Sequence, residues 1–446
     1  MKEELMELFE QRAFARLRQE LANLHPADVA ELLQEVDADA LAVFFRLLPK
    51  EEAAETFVEL DGDLQQQLIE RFSDKELKAV LDELYADDAV DFLEEMPASV
   101  VKRVLRHADP QLRADINQLL RYPKDSAGSI MTTEYVDLKK DMTVEDAFLR
   151  IRKVGTDRET VYTCYVVDAA RHLLGIVTAK DLLLATPETP ISELMETQII
   201  SVETHDDREE ATRAFDRYDL LALPVVDHEG RLVGIVTVDD ALDILQEEAT
   251  EDMQKMAAMT PAEESYFKTS VWVHAKNRIP WLLFLMLSAA VTGMILSYYE
   301  AAFQALPLLV SFVPMLMSTG GNCGTQSATM IIRGMALDEI KVTDLLRALW
   351  KELRIALLCG AILAAVNGLR IYFQYGRNLE MTLVIVLTLI ATIVIAKILG
   401  CLLPMLAKLV KLDPAVMAAP IISTCVDAFS VTIYFQIAVK LLSELQ

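Results

Sequence analysis

Cysteine and histidine are scarce in this chain, with five Cys and six His among 446 residues. The cysteines, Cys164, Cys323, Cys359, Cys401 and Cys425, include no CxxC pair and no Cys/His ligand spacing, which excludes a disulfide framework and a zinc site. Four of them fall in the apolar C-terminal part and read as buried free thiols. Basic side chains are also outnumbered: 42 Lys and Arg face 68 Asp and Glu, a formal charge of −26, whereas binding a phosphate backbone needs the opposite excess. Nucleic acid is therefore excluded as a partner, and cations are expected in its place. The histidines are scattered, and neither a phosphate-binding glycine loop nor a nucleophile elbow is present, so no enzyme activity is expected. The opening segment, MKEELMELFEQRAFARLRQE, lacks the apolar centre of a signal peptide, which places the large first half in the cytoplasm.

Apolar residues, by contrast, are abundant at 53%, and they are segregated from the charge. Residues 1–270 hold 59 acidic and 29 basic side chains, a net of −30, while residues 271–446 hold 9 and 13, a net of +4. The second half reads as five membrane-spanning helices at about 279–299, 303–332, 353–376, 381–407 and 414–441, each near the length a bilayer demands. The second of these is interrupted by Pro307, Pro314 and the polar string STGGNCGTQS, which is tolerated only where the loosened backbone faces protein or water. Lys276, Arg278, Arg333, Lys341, Arg347, Lys351, Arg354, Lys408 and Lys411 gather on one set of flanks, which puts the N-terminus inside and the C-terminus outside.

One carboxylate stands in the last span. Asp427 has 13 uncharged residues before it back to Pro414 and 12 after it to Val439, and a charge there costs at least about 2.5–3.5 kcal/mol. It either faces an ion path or pairs with Lys397, the basic residue of the fourth span. Asp413, just ahead of Pro414, is an inner-mouth ion ligand, the N-cap of the fifth span, or both. Asn322, Thr325 and Gln326 in the polar string line a pore or permit close helix packing.

The first half contains a duplication. Tyr165–Leu183, YVVDAARHLLGIVTAKDLL, matches Leu223–Leu242, LPVVDHEGRLVGIVTVDDAL, with VVD, GIVT and the following Asp each recurring 59 residues later. The grammar is strand, turn, strand, helix, and it resembles a tandem pair of CBS domains, at 126–185 and 186–246. CBS pairs often bind adenosine nucleotides such as ATP through the Thr and Asp of GIVTxxD. Thr178, Asp181, Thr237 and Asp240 hold those positions, and the same Asp is equally a plain helix cap. Residues 1–125 read as short amphipathic helices punctuated by Pro26, Pro49 and Pro97, an acidic helical superhelix. Acidic clusters form at Asp87, Asp88 and Asp91, again at Asp207, Glu209, Asp216 and Asp219, and along an acidic connecting helix expected over 247–275. Leading into that helix, Asp240, Asp243, Glu247 and Glu251 share one face, either a solvated charge run or a cation site.

The order of these parts, together with PMLMSTGGNCGTQSATMIIRG and LDPAVMAAPIISTCVDAFSVTIY, resembles the bacterial MgtE-type magnesium channels and transporters over essentially the full length. The resemblance implies a multi-domain membrane protein: an all-α superhelix, an α/β CBS pair, a long connecting helix and a five-helix transmembrane domain. It further implies a homodimer in the plasma membrane, hydrated Mg2+ held at Asp427, and a pore closed by cytoplasmic Mg2+. The implied sensor ligands fall on Glu55, Asp87 and the backbone of Gly128, on Asp207, Glu209 and Asp219, and on Asp240, Asp243, Glu248 and Glu251. The chain departs from the family pattern at Ala419 and Thr325, where Asn is frequent along the pore, and at Asp216, where a small apolar residue is usual. Rival readings are a membrane-anchored CBS signalling protein, a transporter of Mn2+ or Co2+, and an exporter of the cyclin-M and CorC type, whose CBS pair follows the membrane domain instead.

Overall fold

The structure, a computed structural model, describes residues 2–262, 266, 269–376, 378–417 and 419–442. The chain divides into two units, Met1–Gln246 and Glu247–Gln446.

The first unit opens with ten short helices: α1 (Lys2–Glu10), α2 (Phe14–Leu21), α3 (Pro26–Gln34), α4 (Ala38–Leu47), α5 (Lys50–Val58), α6 (Gly62–Arg71), α7 (Asp74–Leu81), α8 (Ala86–Glu95), α9 (Ala98–His107) and α10 (Pro110–Leu119). Proline sets several starts, since its missing N–H is no loss in a first turn: Pro26 and Pro110 are first helical residues, and Pro49 and Pro97 immediately precede α5 and α9. At α7 the start is instead a capping box, in which Ser73 and Glu76 exchange side-chain to backbone hydrogen bonds of 2.8 and 3.3 Å. From α2 onward each helix packs on the one two places later, the geometry of a superhelix of helical pairs. Phe57 meets Phe45 and Phe92 in its core, with ring centroids 6.4 and 5.4 Å away.

The duplication appears as two three-stranded sheets of identical plan. In the first, β1 (Val136–Leu138) runs parallel to β2 (Thr163–Val167), which is antiparallel to β3 (Leu173–Thr178); α11 (Val144–Val154) links β1 and β2, and α12 (Ala179–Leu184) and α13 (Ile191–Leu194) follow β3. In the second, β4 (Val202–Glu203), α14 (Arg208–Tyr218), β5 (Ala222–Val226) and β6 (Leu232–Thr237) repeat the order. The paired strands of the two hairpins differ by 59 positions at both ends, and the register slips at the same place in each, Val166/Val167 and Val225/Val226. The two repeats also exchange edges within this unit. Thr132, ahead of the first sheet, bridges to Ile235 of the second, and Glu196, ahead of the second, bridges to Ile176 of the first.

The acidic helix differs from its expected extent. It is α15 (Val238–Met256), beginning directly on β6 and ending well short of 275. Ala258 lies in the left-handed region at φ 54° and Pro261 follows, so the helix cannot run on into the membrane half. Among the described residues the next helix starts at Val271.

The second unit is built from α16 (Val271–Tyr298), α17 (Glu300–Ala305), α18 (Val313–Ala336), α19 (Leu345–Gln374), α20 (Leu379–Leu409) and α21 (Ala419–Leu441). Among the described residues, four segments are long and apolar enough to cross a membrane: Val271–Tyr298, Val342–Gln374, Leu379–Leu409 and Pro414–Leu441. The expected span at 303–332 is drawn differently. The chain makes α17, a 3-10 turn over Pro307–Phe312, and then the 24-residue α18, which opens with Pro314 near its first turn. Two prolines set that break, because neither can donate to a continuous ladder.

α18 packs on α20 and α21 through its small residues. A methyl on Gly400 would collide with the backbone carbonyl of Gly324, and one on Gly320 would sit 2.6 Å from Val426 and 2.8 Å from Thr392. Glycine is therefore required at these crossings, because only a bare Cα admits the neighbouring helix so close. Deeper in the unit, Tyr434 donates to the carbonyl of Leu309 at 3.0 Å, and Tyr299 stacks on Phe435 at 4.8 Å.

Candidate functional site

Asp427 lies on α21 within a span and is half-buried. It has no hydrogen-bond or ion-pair partner among the described residues. Pairing with Lys397 does not occur: Lys397 turns instead to Ser327 and to Glu352, a carboxylate that lies just outside the uncharged runs read from the sequence. One turn before Asp427, Ser423 rests on Gly321 of α18, whose virtual Cβ is 3.2 Å from the Ser423 hydroxyl. The polar string and the carboxylate are thus on adjacent helices.

Along α18, Asn322, Gln326, Thr329 and Arg333 are all exposed, at i, i+4, i+7 and i+11. The glycine face packs inward while this polar stripe faces out, and Thr325 is half-buried between them. In hydrocarbon such a stripe has no partner, so a helix at membrane depth presents it only to protein or water. Ala419 opens α21, and its side chain lies outside the described residues. Asp413 caps the turn that leads into α21 and is paired as well: one oxygen accepts from the Ala415 amide at 2.8 Å, and the other pairs with Lys255 of α15 at 2.7 Å. Lys255 also pairs with Glu251 at 2.5 Å. Burial opposes its charge, but the hydrogen bonds it donates to Asp413 and Glu251 outweigh that and hold the ammonium well above the usual lysine range. Glu248 is half-buried on the same helix.

In the first unit the structure brings Asp87 of α8 and Asp240 of α15 into one charge cluster. Asp87 is 6% exposed, and its Oδ1 has no hydrogen-bond partner. Burial and then the Asp240 charge push its carboxyl well above the usual range. Asp88 is pushed up to about 7 by burial and by Asp240 and Asp239. Asp240 rises to about 6 by burial, against the lowering hydrogen bond from Thr237. Two members were missed from the sequence. Glu159 rises to about 8 through burial and then Asp88, and Glu134 adds its charge to the same neighbours. Neither carried a signal, since each is far from Asp87 in sequence. Asp243, exposed, is raised by burial of its carboxyl and by Asp239.

The remaining expected sensor residues are engaged locally or exposed. Glu55 and Asp91 are exposed on α5 and α8. Gly128 is buried, its amide donating to the Thr204 carbonyl at 3.0 Å and its Cα packed against Tyr122. Asp207 caps α14 by accepting from the Glu209 amide at 2.8 Å, while Glu209 pairs with Arg213. Asp219 closes α14 in the left-handed region at φ 52°, and Asp216 is exposed one turn before it. Among the described residues, no three His, Cys, Asp or Glu converge at metal-ligand spacing.

The nucleotide positions serve as caps. The Thr178 hydroxyl donates to Asp181 at 2.5 Å and accepts from its amide at 3.2 Å, and the Thr237 hydroxyl donates to Asp240 at 2.6 Å. A cavity of about 470 Å³ opens elsewhere in this unit, beside Tyr135, Arg158 and Arg171, and none of the four residues lines it. All five cysteines are free thiols, Cys164, Cys323 and Cys401 buried and Cys359 and Cys425 half-buried.

Comparison with known proteins covers every part of this architecture. Residues 313–437 match the MgtE family of divalent cation transporters, 24–125 the MgtE intracellular N domain, and 127–188 and 191–247 the CBS domain. The magnesium transporter MgtE of Thermus thermophilus is 37% identical over 442 residues, covering 98% of each chain. That of Bacillus subtilis is 31% identical over 428 residues, 96% of this chain and 94% of the relative. Among solved structures, the ATP-bound cytosolic domain of the Mg2+ channel MgtE aligns with TM-score 0.53 at 39% identity, covering 55% of this chain and all of that one. The soluble part of a magnesium transporter aligns with TM-score 0.52 at 30% identity, covering 56% of this chain and all of that one. With near-full-length likeness and the same succession of helical superhelix, CBS pair and apolar helices, the chain belongs to the MgtE family.

Proposed function

We propose that the protein is a homodimeric Mg2+ uptake channel of the plasma membrane, with a cytoplasmic N-terminus and an external C-terminus, closed by cytoplasmic Mg2+. The observation that carries this reading is Asp427, a carboxylate within a span that no described side chain neutralises. Mg2+ sheds water reluctantly and is held by one or two carboxylates, so one Asp427 from each subunit on a two-fold axis suffices for a hydrated ion. The stripe of Asn322, Gln326 and Thr329 supports the dimer, because a second copy would cover polar groups that lipid cannot. An inside-negative potential of 100 mV contributes about 2.3 kcal/mol per charge, hence about 4.6 for a divalent ion, so uptake needs no ATPase.

Closure rests on the cytoplasmic acids. Without a cation, Asp87, Asp88, Asp240 and Glu159 repel one another and resist ionisation; Mg2+ supplies the missing positive charge and stabilises their approach. Moving a closed-to-open ratio from 1:99 to 99:1 takes about 5.5 kcal/mol of differential binding, which several weak sites can share. The magnesium channel relative whose cytosolic domain binds ATP supports a nucleotide at the CBS pair, where it would compete with the caps held by Thr178 and Thr237.

The test is Mg2+ entry into proteoliposomes under an imposed potential, with Mn2+ and Co2+ run in competition. Wild-type protein conducts and Asp427→Asn does not. Undiminished flux through Asp427→Asn would sink the pore assignment, and a silent wild type would favour the membrane-anchored signalling reading.

A further inference from the structure

Three polar side chains lie deep in the second unit without serving the pore just described. Ser327 of α18 donates its hydroxyl to Glu352 Oε2 of α19 at 2.5 Å and accepts from Lys397 Nζ of α20 at 3.2 Å. Lys397 Nζ stands 3.8 Å from the same Glu352 oxygen. The three are 1%, 8% and 4% exposed for Ser327, Glu352 and Lys397. Both charges lie in segments long and apolar enough to cross a membrane.

Buried ion pairs are poor stabilisers, because desolvating two charges cancels most of their attraction and an apolar replacement is often as stable. Stability alone therefore does not account for the trio. Its chemistry is that of a hard-cation site: a carboxylate and a hydroxyl oxygen converge, and the cation beside them is the chain's own ammonium. The hydroxyl belongs to α18, one residue beyond Gln326 of the exposed polar stripe.

We propose that Ser327 and Glu352 form a second intramembrane cation site which Lys397 fills as a tethered cation. Lys397 denies the transported ion a carboxylate away from Asp427, and through Ser327 it fixes the rotation of the helix that carries the polar string. Lys397 and Glu352 are thus positioning residues. The site stands whether or not the protein conducts Mg2+, so it is tested on stability rather than flux.

The experiment uses the full-length protein in nanodiscs, comparing wild type, Lys397→Gln and Lys397→Gln/Glu352→Gln. Thermal unfolding of the tryptophan-bearing membrane half is followed in a bulky organic cation buffer and then in rising Na+ or Mg2+. Lys397→Gln should be the least stable in the organic cation. It should gain a stabilisation by Na+ or Mg2+ that the other two lack, roughly 3–6 °C per tenfold rise in ion above the dissociation constant. The double variant, with no charge left to compensate, should unfold near wild type. Lys397→Gln responding to ions no more than the double variant overturns the proposal. So does failure to recover folded Lys397→Gln at any ion concentration, and so does a double variant no more stable than Lys397→Gln.

Discussion

Asp88 offers a quantitative test of the acid cluster around Asp87 and Asp240. Its carboxyl moves from 3.8 to about 7, first through burial and then through Asp240, Asp239, Glu134 and Glu59. At neutral pH that displacement corresponds to about 4 kcal/mol lost by the folded form relative to the unfolded chain. Relaxation and salt reduce this, so about 2–4 kcal/mol is expected when Asp88→Asn removes the charge in metal-free protein. The sign follows from the protons. The folded pKa is raised, so the metal-free unit binds protons that the unfolded chain releases, and it loses stability as pH climbs from about 4 towards 7. Glu159, at about 8, extends the loss further up. All three tryptophans, Trp272, Trp281 and Trp350, lie in the membrane half and are blind to this event. Amide hydrogen exchange of α8 and α15 in the full-length protein with EDTA is the suitable readout. Asp88→Asn should raise protection there roughly 30- to 1000-fold at pH 7.5, with a shallower pH dependence between 5 and 8. Ten millimolar Mg2+ should shrink or reverse the gap, since the wild-type carboxylate then has a cation to meet. Protection within threefold of wild type, matching the exposed control Asp82→Asn, would refute the crowding argument.

Three further outcomes follow from the second unit. Lys255→Met leaves Glu251 and Asp413 facing each other without their ammonium, so the connecting helix loses its hold on the start of α21. A partly exposed pair is worth up to about 1 kcal/mol, so patch recordings should find the half-inhibitory Mg2+ raised by up to about fivefold, and an unchanged value would mean the pair is idle. Gly400→Ala drives a methyl into the Gly324 backbone and should lower folded yield, with about 1–3 kcal/mol of destabilisation in thermal melts; wild-type behaviour would mean α18 and α20 are not packed so closely. Asp427→Asn should keep a wild-type melt while losing conduction, which separates its role from that of the packed core.

Much of this was legible in the sequence, and the exceptions have physical causes. The 59-residue repeat maps onto matching strand bounds because period-2 strands joined by a fixed hairpin leave little freedom in register. The helical superhelix is legible through its prolines Pro26, Pro49 and Pro97, and Pro110 starts α10 in the same way. The acidic helix stops short of 275 because a helix expected to feed directly into the first span ends instead at a local backbone event at Ala258, which no pattern of charge reports. Glu134 and Glu159 were invisible because a charge cluster assembled from several elements has no sequence spacing; only the fold sets its distances.

Glu352 escaped for a different reason. Spans show in the sequence as uncharged runs, so an acid at the edge of a run marks a boundary rather than a buried group. Had it been counted, Lys397 would have had two candidate carboxylates, and composition offers no way to choose between them. Packing makes the choice. α18 presents its glycine face and Ser327 inward, so the ammonium on α20 meets Glu352 across Ser327, and Asp427 on α21 is left without a counter-charge. Of these three charges, two offset each other inside the helix packing, and the third, Asp427, has no counter-charge among the described residues, which is the ground on which the proposed ion site rests.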